Sequence, residues 1–172
     1  MSRIITSKRL AIDQRPLALI GMMLLFALSA CDSDNSTGPG SGQTQRTGWY
    51  RQSPLPTGEF LFGVSFSDAN TGTAVGTGGA ILRTTDGGAN WVSQTSGTTE
   101  WLRGVSFSDA NAGTAVGLAG TILRTTDGGA NWVSQTSGTS QNLLGVSFSD
   151  ANTGTAVGDL GTILRTTDGG GI

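Results

Sequence analysis

The residues best placed to act together recur at fixed spacing. Thr84-x-Asp86-x-Gly88-x-x-Trp91 returns 41 residues later as Thr125-x-Asp127-x-Gly129-x-x-Trp132, and a third copy opens as Thr166-x-Asp168-x-Gly170. An arginine precedes each aspartate by three positions: Arg83, Arg124 and Arg165. Regular carboxylates could serve catalysis or hold a metal, but their neighbours favour a simpler chemistry. Asp accepts hydrogen bonds from backbone N–H groups, paired glycines permit backbone angles that bulkier residues resist, and Trp covers a turn with a large apolar ring. The spacing therefore reads as a turn-building element, ahead of a catalytic or metal-binding one. The remaining inventory offers no partners for catalysis: the chain has no histidine, Tyr50 is its only tyrosine, Glu59 and Glu100 its only glutamates, and Cys31 its only cysteine. The Gly-Gly pairs recur in hairpins and open no helix, so no phosphate-binding loop is expected.

These residues sit within a longer repeat. Gly63-Val-Ser-Phe-Ser-Asp-Ala-Asn70 recurs at Gly104 and Gly145, giving units 63–103, 104–144 and a shorter 145–172. Only eight of 41 aligned positions differ between the first two units, which implies one supersecondary unit used three times. Apolar residues alternate over short spans at Val64-Ser-Phe66 and Ala74-Val75, then at Ile81-Leu82 and Trp91-Val92. This is the pattern of β-strands between glycine-rich turns. Ser67-Asp-Ala-Asn-Thr-Gly72 should join strand one to strand two, and Thr84 to Trp91 should join strand three to strand four. Each unit is then a four-stranded antiparallel meander, and one such unit every 41 residues marks an all-β protein built of β-propeller blades. A parallel β-helix would need shorter coils, and an immunoglobulin-like sandwich would not repeat itself.

The Thr-x-Asp-x-Gly-x-x-Trp pattern resembles the Asp-box, or BNR repeat. With its surrounding words, Gly-Val-Ser-Phe and Ile-Leu-Arg-Thr-Thr-Asp-Gly-Gly, it looks like the photosystem II stability and assembly factor family over residues 49–172. That resemblance implies a propeller that acts by binding a partner protein, without catalysis and without a cofactor. Some relatives hold partners with arginine patches, although the regular Arg83, Arg124 and Arg165 also suit a structural pairing with Asp86 or a neighbouring carbonyl. The alternative is a glycan-binding or glycosidase-associated module, because Asp-box propellers include sialidases. Sialidases need an arginine cluster, a tyrosine nucleophile with a glutamate, and an acid, and Tyr50 lies in the first strand.

Variation among the units points to one end of the blades. Positions 77, 78 and 80 lie between strands two and three; positions 99, 100, 101 and 103 lie between strand four and the next blade. In an up-and-down blade both connections emerge at the same end, opposite the Asp-box turn. Invariant turns with a variable face suit a scaffold that presents a binding surface. The candidates there are Glu100, Trp101 and Arg103, then Gln141, Asn142 and Leu144, with Thr77, Leu118, Asp159 and Leu160 from the shorter connections. Trp and Arg are enriched among binding hot spots. Unrestrained loop drift, or a tryptophan packing between blades, accounts equally well for the pattern.

The N-terminus carries Arg3, Lys8, Arg9 and Arg15, then the apolar run 17–28. That run is shorter than the roughly 20 residues a membrane-spanning helix needs, so residues 1–30 read as an export signal. Leu28-Ser29-Ala30-Cys31 resembles the bacterial lipobox, which implies lipidation of Cys31 and a protein anchored at the cell envelope, facing the periplasm. Asp32 would favour the inner membrane in some bacteria. Residues 31–48 hold the lipidated cysteine and a polar tether without apolar side chains. Without residues 1–30 the chain has six arginines against eleven acids, a balance that argues against nucleic-acid binding.

Strand counting qualifies the propeller. Trp49-Tyr-Arg-Gln-Ser53 resembles Trp91-Val-Ser-Gln-Thr95 and is expected to supply a fourth strand to the last unit, for twelve strands in three four-stranded blades. Propellers have about four to eight blades, so three are incomplete. The ending at Gly171-Ile172, where earlier units read Ala-Asn-Trp, favours a truncated gene product; the alternative is a homodimer closing a six-bladed ring.

Overall fold

A computed structural model describes residues 48–52 and 54–170. The expected signal, Cys31 and nearly all of the tether lie outside the described residues. The chain divides into two units between Thr47 and Gly48, and the fold below is that of the second.

Eleven strands form three antiparallel meanders. Blade 1 holds β1 (Leu61–Phe66), β2 (Gly72–Gly76), β3 (Ile81–Thr84) and β4 (Val92–Gln94), hydrogen-bonded in that order. Blade 2 repeats it with β5 (Leu102–Phe107), β6 (Gly113–Gly117), β7 (Ile122–Thr125) and β8 (Val133–Gln135). Blade 3 has β9 (Leu143–Phe148), β10 (Gly154–Gly158) and β11 (Ile163–Thr166). A single 3-10 turn joins the second and third strands of each blade, at Thr77–Gly79, Leu118–Gly120 and Asp159–Gly161.

The fold is all-β, as the repeat implies, but of the expected twelve strands eleven are present among the described residues. Residues 49–52 lie outside any strand, Ser53 lies outside the described residues, and blade 3 has three strands. The reason is local: a strand needs an edge to pair with, and the blade that Trp49 would complete is not beside it. The segment keeps one habit of a fourth strand, since the Gln52 amide donates to the Gly88 carbonyl of blade 1. Gln135 of β8 does the same to Gly170 in blade 3.

The core lies between blades. Val75 and Ile81 of blade 1 meet Leu102, Val105, Ala115 and Leu123 of blade 2; Val116 of blade 2 meets Leu143 and Ala156 of blade 3. First strands adjoin one another, β1 beside β5 and β5 beside β9. That approach needs glycine: a Cβ on Gly63 would lie 3.2 Å from the Gly104 Cα, and one on Gly104 would lie 3.2 Å from the Gly145 Cα. Sheets that converge on their first strands and bury one face against the next radiate as propeller blades do.

Candidate binding site

The Asp-box turns stand at one end of the blades. The Thr84 hydroxyl donates to Asp86 Oδ1 at 2.8 Å and accepts from the Gly88 N–H at 2.9 Å. Asp86 also accepts from the Asn90 N–H at 2.9 Å and from the Asn90 side chain at 2.7 Å. Asp127 repeats these contacts with Thr125 and Asn131. Thr166 donates to Asp168 at 2.7 Å, and the Gly170 N–H bonds both side chains. The donors from Asn90 and Thr84 lower the Asp86 carboxyl to about 2, and those from Asn131 and Thr125 lower Asp127 to about 2. Such carboxylates hold no proton to donate at neutral pH. Trp91 lies edge-on to Phe66 at 6.1 Å and Trp132 edge-on to Phe107 at 6.0 Å, each ring behind its own turn.

The arginines run between blades. Arg83 donates to the Ala110 carbonyl of blade 2 at 3.0 Å and lies over Phe107; Arg124 donates to the Ala151 carbonyl of blade 3 and lies over Phe148. Of the two structural partners open to these arginines, Asp86 and a neighbouring carbonyl, the structure shows the carbonyl.

The other end gathers most of the positions that vary. Arg103 and Leu144 are not in connections, as expected, but within β5 and β9. Pairing runs Leu102 to Gly117 and then Gly104 to Val116, so Arg103 is the extra residue of a β-bulge. Leu144 and Phe62 are bulged at the same place in β9 and β1. Bulges re-aim a side chain out of the ladder. Here the Arg103 guanidinium lies 4.2 Å from the Phe62 ring centroid and 5.3 Å from that of Trp101. The two rings stack at 6.0 Å and 28°. Trp101 remains 44% exposed and Leu144 48% exposed, while Arg103 Nε is shielded from solvent without a hydrogen-bond partner in the described residues.

The backbone holds Trp101 in place. Its carbonyl accepts from the Leu118 N–H at 3.0 Å, and a Cβ on Gly117 would lie 2.2 Å from that oxygen. The equivalent Asn142 takes a different part: its side chain donates to Asp159 at 2.8 Å and accepts from the Ala119 N–H at 3.1 Å, joining blades 2 and 3. Glu100 and Gln141 are anchored through their N–H groups to Thr98 and Thr139 at 3.1 Å each, with Glu100 exposed. Thr77 instead bonds Glu59. Leu160 is 89% exposed with φ of +54°, a left-handed backbone.

Sequence reasoning missed Phe62. Phe62 precedes the first unit, which opens at Gly63, yet at the 41-residue spacing it falls in the same variable column as Arg103 and Leu144. Among the described residues no group of three or more His, Cys, Asp or Glu could hold a metal.

Comparison with known proteins places this geometry. The family model described as photosynthesis system II assembly factor YCF48 matches residues 42–136. A chloroplast photosystem II stability/assembly factor, HCF136, of Cyanidioschyzon merolae is 47% identical over 51 residues, which is 28% of this chain and 12% of that protein. The solved structure of YCF48 from Cyanidioschyzon merolae is 33% identical over 70% of this chain and 40% of its own, with a TM-score of 0.62. A structure described as YCF48 bound to D1 peptide is 28% identical over 69% of this chain and 39% of its own, also with a TM-score of 0.62. An ancestral GH74 enzyme, 21% identical at a TM-score of 0.52, shares the fold. The chain thus spans about two fifths of the YCF48 structures it matches, and over that span it is a partial β-propeller. With Asp-boxes at 41-residue spacing, inner strands joined at glycine and a family model matching more than half of its length, this chain belongs to the photosynthesis system II assembly factor YCF48 family.

Proposed function

We propose that this chain is a non-catalytic, exported propeller segment that holds a partner protein at the Trp101 end of its blades. The observation that carries the reading is the Phe62, Trp101 and Arg103 cluster: two exposed rings and a cation, brought together by bulges at positions that vary between otherwise near-identical blades. Such a surface suits an extended segment offering an apolar side chain to Trp101 and an acceptor to Arg103. A family member's structure described as bound to D1 peptide supports a peptide partner. The residue inventory supports the absence of catalysis, since histidine is lacking and the box aspartates are saturated by their own turns.

The lipobox resemblance of Leu28-Ser29-Ala30-Cys31 supports anchoring at the periplasmic face of a membrane. Mass spectrometry of the chain expressed in a bacterium should find a lipid-modified Cys31 at the mature N-terminus, and Cys31→Ser should release the protein from the membrane fraction. For the binding reading, the immobilised chain should retain membrane proteins from its host, and Trp101→Ala or Arg103→Ala should each weaken retention about tenfold, the scale of a moderate hot spot. Retention of oligosaccharides through Trp101, with no protein retained, would support the glycan-binding module instead.

A further inference from the structure

Glu59 recurs one repeat later as Glu100 and gives way to Gln141, while Thr77 is matched by Leu118 and then by Asp159. Taken blade by blade, these two columns supply one carboxylate each time: Glu59 before β1, Glu100 before β5, and Asp159 after β10. In two of the blades a neutral neighbour holds the acid. The Thr77 hydroxyl donates to Glu59, and the Asn142 amide donates to Asp159 at 2.8 Å. Blade 2 lacks such a neighbour, because Leu118 stands where Thr77 serves and has no hydroxyl to offer. Glu100 is exposed and anchored by its N–H to Thr98 at 3.1 Å, but its carboxylate has no hydrogen bond or ion pair among the described residues.

That free carboxylate belongs to the Trp101 surface. Glu100 directly precedes Trp101, so the two Cα atoms lie about 3.8 Å apart. Arg103 does not neutralise it, since the guanidinium is turned onto the Phe62 and Trp101 rings at 4.2 Å and 5.3 Å and pairs with no acid among the described residues. The connections at this end, 55–60, 77–80, 95–101, 118–121, 136–142 and 159–162, contain Glu59, Glu100 and Asp159 and no lysine or arginine. Hydroxyl and amide partners leave the charges of Glu59 and Asp159 in place. The stacked rings therefore stand in a negative rim.

A segment laid over Trp101 strips water from Glu100, and a desolvated carboxylate is costly unless a cation meets it. Arg103 makes a different demand. Its shielded Nε lacks an acceptor among the described residues, and any peptide carbonyl supplies one without an acidic side chain.

We propose that the segment held at the Trp101 end is basic: an extended stretch that sets an apolar side chain on Trp101 and Phe62, a lysine or arginine beside it against Glu100, and a backbone carbonyl on Arg103. This rests on the reading of the Trp101 end as a partner surface and adds the charge that selects the partner. An acidic segment meets like charge from all three blades. Complementary charge of this kind acts on the choice of partner and on the association rate more than on raw affinity.

Random linear peptides of about 12 residues, displayed on phage and selected on the immobilised full chain, test this; at about 3.3 Å per residue they are long enough to cross the blades. The expected sequences pair an apolar residue with lysine or arginine and are poor in aspartate and glutamate. For a selected peptide made synthetically, Glu100→Gln should raise the dissociation constant about threefold to tenfold, high salt should do the same, and Trp101→Ala should raise it at least about tenfold. Glu100→Lys should remove the basic bias from a fresh selection, and circular dichroism of each variant should match the parent. Selected sequences without an excess of basic over acidic residues overturn the proposal, as does a bias that Glu100→Lys leaves unchanged. Peptides bound through Trp101 with no preference of charge overturn the basic partner and leave the partner surface standing. Failure to select any peptide, or selection of peptides that Trp101→Ala binds equally well, overturns both.

Discussion

Gly117→Ala is expected to cost about 2–4 kcal/mol, and the cost can be separated from any backbone preference. Gly117 has φ of −163°, extended backbone that any residue adopts, so alanine meets no dihedral penalty there. The obstacle is steric. The new Cβ would stand 2.2 Å from the Trp101 oxygen, 3.0 Å from its carbonyl carbon and 3.1 Å from the Leu102 Cα, all backbone atoms. Restoring contact distance moves that carbonyl by about 1 Å, since carbon approaches other atoms comfortably only at about 3.5 Å. A shift of that size breaks the 3.0 Å bond from the Leu118 N–H, worth about 0.5–1.5 kcal/mol net. Overpacking against fixed backbone adds about 1–3 kcal/mol.

Gly97→Ala provides the comparison. Gly97 has φ of +77° with nothing within 4 Å of the position of a Cβ, so its cost is the left-handed backbone alone, about 1–2 kcal/mol. Urea denaturation of both variants at neutral pH measures the difference. Gly117→Ala should be the more destabilised, and it should also lose partner retention, because Trp101 leaves its stack on Phe62. Should Gly97→Ala prove equal or worse, the close approach at Gly117 is not what fixes Trp101, and the account of the site's positioning fails.

Acid and turn geometry supply the remaining tests. Asp86 and Asp127 are held at about 2 in the fold, and Asp68, Asp109 and Asp150 are also lowered, each chiefly by backbone donors of its own turn. Groups whose folded value lies below the ordinary 3.8 contribute stability that is complete above pH 4 and lost as pH falls toward 2. The urea midpoint should therefore hold level from pH 5 upward as far as these groups are concerned, then drop steadily between pH 4 and pH 2; a midpoint at pH 2.5 equal to that at pH 5 refutes the assignment. Leu160→Gly should stabilise the fold by up to about 1 kcal/mol, raising Tm by a few degrees, because it relieves a left-handed leucine where Gly78 serves in blade 1. Calorimetry showing a lower Tm would mean that the exposed Leu160 side chain makes a stabilising contact.

The blade was legible because period and alternation are properties of the chain itself. Val64, Ala74, Ile81 and Val92 announce four strands, and glycine, asparagine and aspartate mark every turn between them. The site was legible only as a region. That Trp101 and Arg103 share one end follows from connectivity, but their meeting on Phe62 depends on a bulge in each first strand, and no residue type announces a bulge at Phe, Arg and Leu alike. Arg83 shows a similar gap: in sequence it stands beside Asp86, yet β3 carries it to the next blade, where Ala110 offers a carbonyl. Trp49 lies outside a strand for the converse reason, since its pattern is right but among the described residues no sheet edge stands where it could pair.

Division of labour within the blade explains why one scaffold can carry a variable surface. Contacts that join blades use side chains common to the units: serine to the next N–H, arginine to the next alanine carbonyl, valine and isoleucine against leucine. None of these needs residue 62, 101 or 103, so changes there leave the buried part of the junctions intact. The variable positions that do join blades, Asn142 through its hydrogen bonds and Trp101 with Arg103 through their packing on Phe62 of blade 1, do so at the rim and not through the core. Substitution at the Trp101 end should therefore move binding and stability separately, whereas substitution at Arg83 or Ser65 should move stability alone. A variant of Trp101 that lost several kcal/mol of stability would show that its stack on Phe62 holds the blades together, and would remove the basis for treating the ring as a contact surface.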